Sequence, residues 1–540
     1  MMNKIFFLFL IFLLAFQSFA SAEVKTFVKE YTYQASEDDS RNSSRVTAMR
    51  EVKRLLLEEL GTYLESVTEV KNFQLTKDQI TALTAGIVKT EIVNEKWDGH
   101  TYWIKTKIVA DEGGVIKSID NLRKDRIKTQ ELEDTKKRAD ALLHENKKLR
   151  KEMALAKGDA KLIVQQKYNS SIKELSAIEW NESGIRSYNK NDHEEAFRDF
   201  SKAIELNPNF EFAYFHRGFL YSEFGKHDKA IIDYSKVIEL NPNFELAYCH
   251  RGFMYQILGK YNEAFVDYNK AIQLDPNFAT AYFHRGSLYS ELGKYIEAIA
   301  DYSKAIELYP QIGAYTNRGI VYYNIGRYNE SIADFNTAIE LNPKDDVAYH
   351  FRGLSYDFLD KYHEAIADFN AAIKINPKSD STHYDRGLAK LSRGERNEAL
   401  ADFDKAIELN PNNDLAYNGS GIVKLSRGRY HEAIDDYSKA IALNPLNDLA
   451  YCNRGTCYNY IKKYNKAIAD FSKAIELKPN NARTYYHRAI SYSMIGNTNK
   501  AIQDLNKAIQ IKPTYRDDAK TDYNFDKIRN TREFKRLVGK

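Results

Sequence analysis

Residues 245–278 read ELAYCHRGFMYQILGKYNEAFVDYNKAIQLDPNF, and the pattern returns at once in residues 279–311, ATAYFHRGSLYSELGKYIEAIADYSKAIELYPQ. The ten prolines of the chain keep the same spacing, at positions 208, 242, 276, 310, 343, 377, 411, 445, 479 and 513. Eight of the nine steps between them are 34 residues long and one is 33. A fixed period of this length predicts a repeat protein built from stacked helical pairs.

Small and aromatic side chains occupy fixed places within each period. Repeat one, counted from residue 177, has Trp180, Gly184, Ala196, Phe200, Ala203 and Pro208 at positions 4, 8, 20, 24, 27 and 32. Later repeats place Gly218, Gly252 and Gly286 at position 8, and Pro242 and Pro276 at position 32. Glycine and alanine let two helices approach closely, and proline ends a helix. We therefore expect each repeat to be two antiparallel helices, A and B.

This pattern resembles the tetratricopeptide repeat family over residues 177–513. The resemblance implies a mainly α fold, a right-handed α-solenoid of ten helix-turn-helix repeats, with residues 514–540 as a C-terminal capping segment. One helical pair alone cannot bury its apolar face, so the repeats are expected to share one continuous core.

Charged residues also recur at fixed positions. Position 23 is Asp in all ten repeats and position 7 is Arg in eight, as in Arg217 and Asp233. We predict that they form ion pairs between helix A and helix B. A pair repeated in every unit favours an architectural role over a catalytic one.

The resemblance also implies a binding surface, because helix A positions 2, 5, 6, 9, 12 and 13 of this family face a concave groove. The residues predicted to line the groove are Phe212, Phe215, His216, Phe219, Leu246, Cys249, His250, Phe253, Phe283, His284, Tyr323, His350, Phe358, Tyr384 and Tyr486, with Asn418, Asn453 and Tyr460 beside them. Aromatic anchors of this kind suit a peptide or an amphipathic helix. The alternative is that many of these aromatic residues pack between repeats.

Residues 23–112 are expected to form a small α+β module. A strand is predicted at Thr26 to Tyr33, and a helix capped by Ser43 or Ser44 follows it. A capping box from Thr76 to Gln79 starts a second helix. Asp98 and Gly99 then form the turn of a β-hairpin. The order of elements weakly resembles small modules of bacterial envelope and flagellar-assembly proteins.

Residues 115–173 contain no proline and are charged throughout, which predicts a long helix. Leu132, Ala139, Asn146 and Met153 fit one core position of a heptad, and Thr135, Leu142, Leu149 and Ala156 fit the other. We interpret this stretch as a solvated helical spacer. A short coiled coil that forms a homodimer through residues 132–156 is the alternative.

Residues 1–22 are predicted to be a signal peptide. Lys4 precedes an apolar run from Ile5 to Phe16, and Ala20-Ser21-Ala22 fits a peptidase cleavage site. We therefore expect an exported protein, periplasmic or extracellular in a bacterium, and not an integral membrane protein after cleavage. An uncleaved anchor is the alternative.

The composition argues against several other functions. Lys and Arg number 79 against 75 Asp and Glu, so no nucleic-acid partner is expected. We predict no metal and no cofactor, and Cys249, Cys452 and Cys457 are expected to be buried or groove thiols. The predicted function is a non-enzymatic scaffold that binds protein or peptide partners. The alternatives are an assembly factor associated with envelope glycan or peptidoglycan, and an enzyme subunit with its chemistry in residues 23–112.

Overall fold

The computed structural model describes residues 24–67, 70, 75–85, 87–124, 126–310 and 312–539, so the predicted signal peptide lies outside the described residues. The N-terminal module consists of β1 (Val24–Gln34), α1 (Arg41–Ser66), α2 (Lys77–Ala85), β2 (Thr90–Trp97) and β3 (Thr101–Asp111). Its strands form an antiparallel sheet in the order β1-β3-β2.

The sheet buries one face against α1. Alternate residues of β3 are buried, Tyr102, Ile104 and Ile108 among them, because successive side chains of a strand point to opposite faces. They pack with apolar residues of α1 such as Val52 and Leu60. Gly99 takes a positive φ of 96° in the β2–β3 turn, as the Asp98-Gly99 dipeptide predicts.

The capping box of α2 is confirmed, and the predicted cap of α1 is wrong. Gln79 N donates to Thr76 Oγ1 at 3.2 Å, and Thr76 N donates to Gln79 Oε1 at 3.0 Å. In α1, Ser43 N donates to Ser40 Oγ at 3.1 Å, so Ser40 is the cap. Ser43 and Ser44 lie buried in the first turn. Ser40 can serve because its extended backbone precedes the helix.

The interpretation of residues 115–173 as a solvated spacer is wrong. The chain forms α3 (Glu112–Lys124), α4 (Arg126–Leu155) and α5 (Asp159–Asn189), and it reverses direction at Gly158, whose φ is +56°. Helices α4 and α5 therefore form a hairpin. Helix α5 also includes helix A of repeat one, so no boundary separates the predicted spacer from the repeats.

The heptad seam of α4 is buried within the same chain. Leu142, Leu149 and Met153 are 8%, 4% and 1% exposed, and they share a core with Tyr168 and Leu175 of α5. This contradicts a homodimer through residues 132–156, because the apolar seam that a second copy would need is already covered. The heptad spacing does predict the buried face of α4, but the helix that covers this face is α5 of the same chain.

The remaining repeat helices follow in the predicted order. They are α6 (His193–Leu206), α7 (Glu211–Glu223), α8 (His227–Leu240), α9 (Glu245–Ile257), α10 (Tyr261–Leu274), α11 (Ala279–Glu291), α12 (Tyr295–Leu308), α13 (Ile312–Asn324), α14 (Tyr328–Leu341), α15 (Asp346–Phe358), α16 (Tyr362–Ile375), α17 (Asp380–Ser392), α18 (Arg396–Leu409), α19 (Asp414–Ser426), α20 (Tyr430–Leu443), α21 (Asp448–Tyr460), α22 (Tyr464–Leu477), α23 (Ala482–Met494) and α24 (Thr498–Ile511). The mainly α class with tandem helix-turn-helix repeats is thus confirmed. The chain divides into two compact units, with the boundary between Pro276 and Asn277.

Close packing inside each repeat explains the recurrent glycines. A Cβ atom added at Gly218 would lie 3.0 Å from the ring of Tyr234, and one at Gly252 would lie 2.9 Å from Tyr268. Gly286 faces Tyr302 in the same way, at 3.1 Å. Helices α8 and α10 end at Leu240 and Leu274, just before Pro242 and Pro276, because proline cannot continue a helix.

Arginine at position 7 joins the two helices of its repeat. Arg217 Nε and Nη2 each donate to a carboxylate oxygen of Asp233 at 2.8 Å, and Asp233 is 3% exposed. The corresponding pairs are Arg251–Asp267, Arg285–Asp301, Arg318–Asp334, Arg352–Asp368, Arg386–Asp402, Arg454–Asp470 and Arg488–Asp504. Arg318 Nη1 also donates to Ser303 Oγ in the preceding repeat, at 2.8 Å, so the same side chain sets the spacing between neighbours.

Short helices close the last repeat. They are α25 (Tyr515–Thr521), α26 (Asp526–Arg529) and α27 (Arg532–Val538), with a 3-10 turn at Tyr523–Phe525. Phe525, Ile528 and Phe534 pack against the apolar face of α23 and α24. In the part of the chain that the structure describes, no helix has the length and apolar character needed to span a membrane.

Candidate functional site

The groove face is defined here as helix A positions 2, 5, 6, 9, 12 and 13 of the repeats. Three of its predicted residues are buried: Leu246, Cys249 and Tyr486, at 7%, 2% and 7% exposure. Phe358 is 58% exposed. The other predicted residues are partly exposed: Phe212, Phe215, His216, Phe219, His250, Phe253, Phe283, His284, Tyr323, His350 and Tyr384.

In repeats two and three, the aromatic side chains pack mainly against one another. The ring of Phe215 lies 5.7 Å from Tyr234, 5.3 Å from Phe244 and 5.4 Å from His250. Burial lowers the pKa of His250 to about 4 and raises the pKa of the Cys249 thiol. The packing alternative therefore describes Phe215, His250 and Cys249 better than a ligand-facing role.

The capping segment covers the end of the groove face at repeat ten. Tyr486 stacks on Tyr515 with ring centroids 4.5 Å apart, and its hydroxyl donates to Asp522 at 2.8 Å. Tyr486 is therefore a core residue, contrary to the prediction. Phe525, 5.6 Å from the same ring, encloses it from another side.

At repeats one and two, helices of the same chain lie on the groove face. Position 6 of repeat one is Glu182, and its carboxylate accepts hydrogen bonds from Arg50 and Lys53 of α1. Position 6 of repeat two is His216, whose Nε2 lies 2.6 Å from Glu131 Oε1 of α4. The sequence analysis predicted neither contact. The one signal available was the spacing of Arg50 and Lys53, which lie about one turn apart in a predicted helix and therefore on the same face.

Repeats five to seven present a different arrangement, in which aromatic and acidic side chains meet. The ring of Tyr323 lies 5.7 Å from Phe358, and Phe358 stacks on Tyr328 at 5.0 Å. Beside them, His350 Nε2 lies 3.4 Å from Asp385 Oδ2. Helices α13, α15 and α17 are the A helices of repeats five to seven. They bring these groups together because each A helix packs against the A helix of the next repeat.

Asp357 and Asp385 were missed as site residues. They occupy groove-face positions 12 and 6, so their place in the repeat could have identified them from the sequence. The prediction named mainly aromatic residues and left these two acids out. Burial, with the charge of Asp357, raises the pKa of Asp385 to about 7. Burial, with the charge of Asp360, also raises the pKa of Asp357. In the described chain, Asp357 Oδ1 is shielded from solvent and has no hydrogen-bond partner.

His350 does not supply a positive charge to these acids. Burial lowers its pKa to about 4, and its Nδ1 lies 2.8 Å from Thr382 Oγ1. The site therefore consists of two carboxylates, a neutral imidazole and exposed aromatic rings. This arrangement suits the binding of a cationic, partly apolar group.

Repeats eight and nine add polar side chains to the groove face. Asn418 and Asn453 are 8% and 5% exposed, and Tyr460 is 57% exposed. Tyr460 stacks on Tyr430 at 4.7 Å, in the way that Phe358 stacks on Tyr328. Among the residues that the structure describes, no group of three or more His, Cys, Asp or Glu side chains is arranged to hold a metal ion.

The repeats match models of one family. A model described as "Tetratricopeptide repeat" matches residues 212–244, 279–312, 313–345, 381–413, 449–481 and 482–515. A second tetratricopeptide model matches residues 187–210 and 347–379, and a model described as "TPR repeat" matches residues 254–293 and 421–459. The chain therefore belongs to the tetratricopeptide repeat family.

Solved structures of the same family are similar to parts of the chain. One is a tetratricopeptide repeat protein from Parabacteroides merdae, with 22% identity over 47% of this chain and 99% of that one, and a TM-score of 0.37. Another is YrrB, a TPR protein described as having an unusual peptide-binding site, with 24% identity over 33% and 92% and a TM-score of 0.30. Yeast Tom70 has 15% identity over 67% and 98%, with a TM-score of 0.32.

The comparison with proteins of curated function found no significant match.

Proposed function

We propose that the chain is an exported, non-enzymatic scaffold that binds a peptide or helical segment of a partner protein on the groove face of repeats five to nine. The observation that carries this proposal is the contrast between the first two repeats and repeats five to seven. At repeats one and two, position 6 is already paired with helices of the same chain. At repeats five to seven, the groove face has an exposed Phe358 and a solvent-shielded Asp357 Oδ1 without a hydrogen-bond partner among the described residues.

The energetics of such a surface favour a protein partner. Interfaces concentrate their binding energy in a few aromatic or Arg anchors, and truncation of one commonly costs about 2 kcal/mol or more. Phe358 and Tyr460, both more than half exposed, are aromatic side chains of this kind. In repeats five to nine, no groove-face position holds Lys or Arg, which a nucleic-acid partner would require.

The test is capture of a partner from the envelope fraction of the producing cell, followed by an affinity measurement. The double variant Tyr323→Ala, Phe358→Ala is expected to weaken binding of the captured partner at least about tenfold. Ile296→Ala is the matched control, because Ile296 is 82% exposed but lies on helix B of repeat four. Equal affinities for both variants would place the partner elsewhere.

Export rests on the N-terminal sequence, where Lys4, the apolar run and Ala20-Ser21-Ala22 agree with a cleaved signal peptide. We expect the mature protein to begin at Glu23. N-terminal sequencing of the protein from its native cell tests this, and a mature chain that begins before Ala22 would contradict it.

A further inference from the structure

In the first two repeats, position 6 of the groove face is paired with side chains from elsewhere in the same chain. Arg50 Nη1 lies 3.0 Å from Glu182 Oε1, and Lys53 donates to the other carboxylate oxygen. Arg50, Lys53 and Glu182 are 7%, 6% and 8% exposed, so water does not screen the pairing. In repeat two, His216 is paired with the acidic Glu131. In both cases the matching side chain comes from a helix that lies on the groove face.

Position 6 of repeat seven is again acidic, since it is Asp385. In the described chain its carboxylate lies 3.4 Å from the imidazole of His350, which burial keeps neutral. No Lys or Arg of the described residues lies within ion-pair distance of Asp385 or Asp357. A buried carboxylate without a cation is costly, which is the reason that such groups are normally paired.

Charge on the surrounding groove face is of one sign. At positions 2, 5, 6, 9, 12 and 13 of repeats five to nine, the charged residues are Asp357 and Asp385, and none of these thirty positions holds Lys or Arg. A basic segment therefore meets no Lys or Arg at these groove-face positions. An acidic segment would meet two carboxylates that are already destabilised by burial.

The aromatic rings beside the two acids suit the stem of a long cationic side chain. Phe358 is 58% exposed, and its ring lies 5.7 Å from that of Tyr323. Lys and Arg bury their methylene stems along apolar surfaces and keep the charged end for a polar partner. Aromatic faces attract the same charged groups.

We propose that Asp385 and Asp357 receive a Lys or Arg side chain from an amphipathic helix of the partner protein, as Glu182 receives Arg50 and Lys53 within the chain. The proposal rests on the proposed function and names the chemistry of its partner. It requires the basic side chain to lie on the same face of the helix as the apolar residues that contact Tyr323 and Phe358.

The probe is a synthetic peptide of residues 41–66, the helix that carries Arg50 and Lys53. Its affinity for the full chain is measured by fluorescence anisotropy, beside that of the same peptide with Arg50→Glu and Lys53→Glu. We expect the basic peptide to bind at least about tenfold more tightly than the charge-reversed peptide. The chain variant Asp357→Asn, Asp385→Asn is expected to lose this preference.

Asp404→Asn is the matched control, because Asp404 is an exposed acid on helix B of the same repeat. It should retain the preference, and circular dichroism should show that both chain variants remain folded. Equal affinity of the two peptides, absence of binding, or a preference that survives Asp357→Asn, Asp385→Asn would overturn the inference. None of these results would alter the outcome of the Tyr323 and Phe358 experiment, so failure of the inference and failure of the proposed function are distinguishable.

Discussion

Arg318 and Arg327 belong to the same repeat and carry the same charge, but they contribute differently to stability. Arg318 makes a bidentate pair with Asp334, which is 6% exposed, and it reaches Ser303 of the preceding repeat. Arg327 pairs with Glu330 on the surface. A surface pair adds little, whereas removing one partner of a buried pair leaves the other charge without compensation.

We therefore predict that Arg318→Ala lowers the free energy of unfolding by about 3 kcal/mol, because it leaves Asp334 buried and unpaired. Arg327→Ala should cause no measurable change. Urea unfolding followed by circular dichroism compares the two variants. Similar midpoints for both would contradict an architectural role for the position 7 arginines.

Asp385 makes the stability of its repeats depend on pH. Burial raises its pKa to about 7, and the groups that face it are Asp357, His350, Tyr323 and Tyr384. An Asp in the unfolded chain releases its proton near pH 4. Between about pH 4 and pH 7 the folded state holds the additional proton, so the free energy of unfolding falls as pH rises through this window.

Asp385→Asn should remove that slope and stabilise the chain at pH 8 by roughly 1 kcal/mol or more, since it removes a buried, weakly paired charge. Urea unfolding of both proteins at pH 5, 6, 7 and 8 measures the effect. Parallel stability curves for the two proteins would show that Asp385 ionises as an ordinary exposed carboxylate.

At the scale of elements, α1, α4 and α5 form one structural unit with the first repeats. Glu182 of α5 holds Arg50 and Lys53 of α1, and Asp39, just before α1, accepts hydrogen bonds from Tyr33 and Tyr168. Arg138 of α4 contacts Glu211 at the start of α7. The N-terminal module is therefore attached to the repeats by buried polar contacts as well as by apolar packing.

Glu182→Ala should loosen this attachment, because it leaves two buried cations without a partner. Hydrogen exchange is expected to accelerate in α1 and α5 but not in α23. Glu205→Ala is the control, since Glu205 forms an exposed pair with Lys202. Unchanged exchange in α1 would mean that the module holds its position without Glu182.

The parts of the fold that recur could be predicted from the sequence, and the parts that occur once could not. Gly218, Pro242 and the pair Arg217–Asp233 have counterparts in nearly every repeat, so at least eight examples supported each assignment. Tyr486 stands at a groove position, but its burial depends on Tyr515 and Phe525, which have no counterpart in other repeats. The hairpin of α4 and α5 was not predicted, because a heptad pattern shows that one face of a helix is buried but does not identify the helix that packs against that face.

At the scale of the whole molecule, repeat proteins unfold in parts because each unit contacts only its neighbours. Removal of residues 514–540 should expose the apolar face that Phe525, Ile528 and Phe534 cover. We expect faster hydrogen exchange in α23 and α24 and unchanged exchange in α1. A uniform increase over the chain would instead indicate a single cooperative unit.

The partner is proposed to bind the groove face of repeats five to nine, and site-specific photo-cross-linking in the native cell is the sharpest test of that site. A photoreactive amino acid replaces Tyr323, Phe358 or, as the control, Ile296. We expect an adduct with the same partner protein at Tyr323 and at Phe358 and none at Ile296. A partner adduct at Ile296, with none at Tyr323 or Phe358, would contradict it.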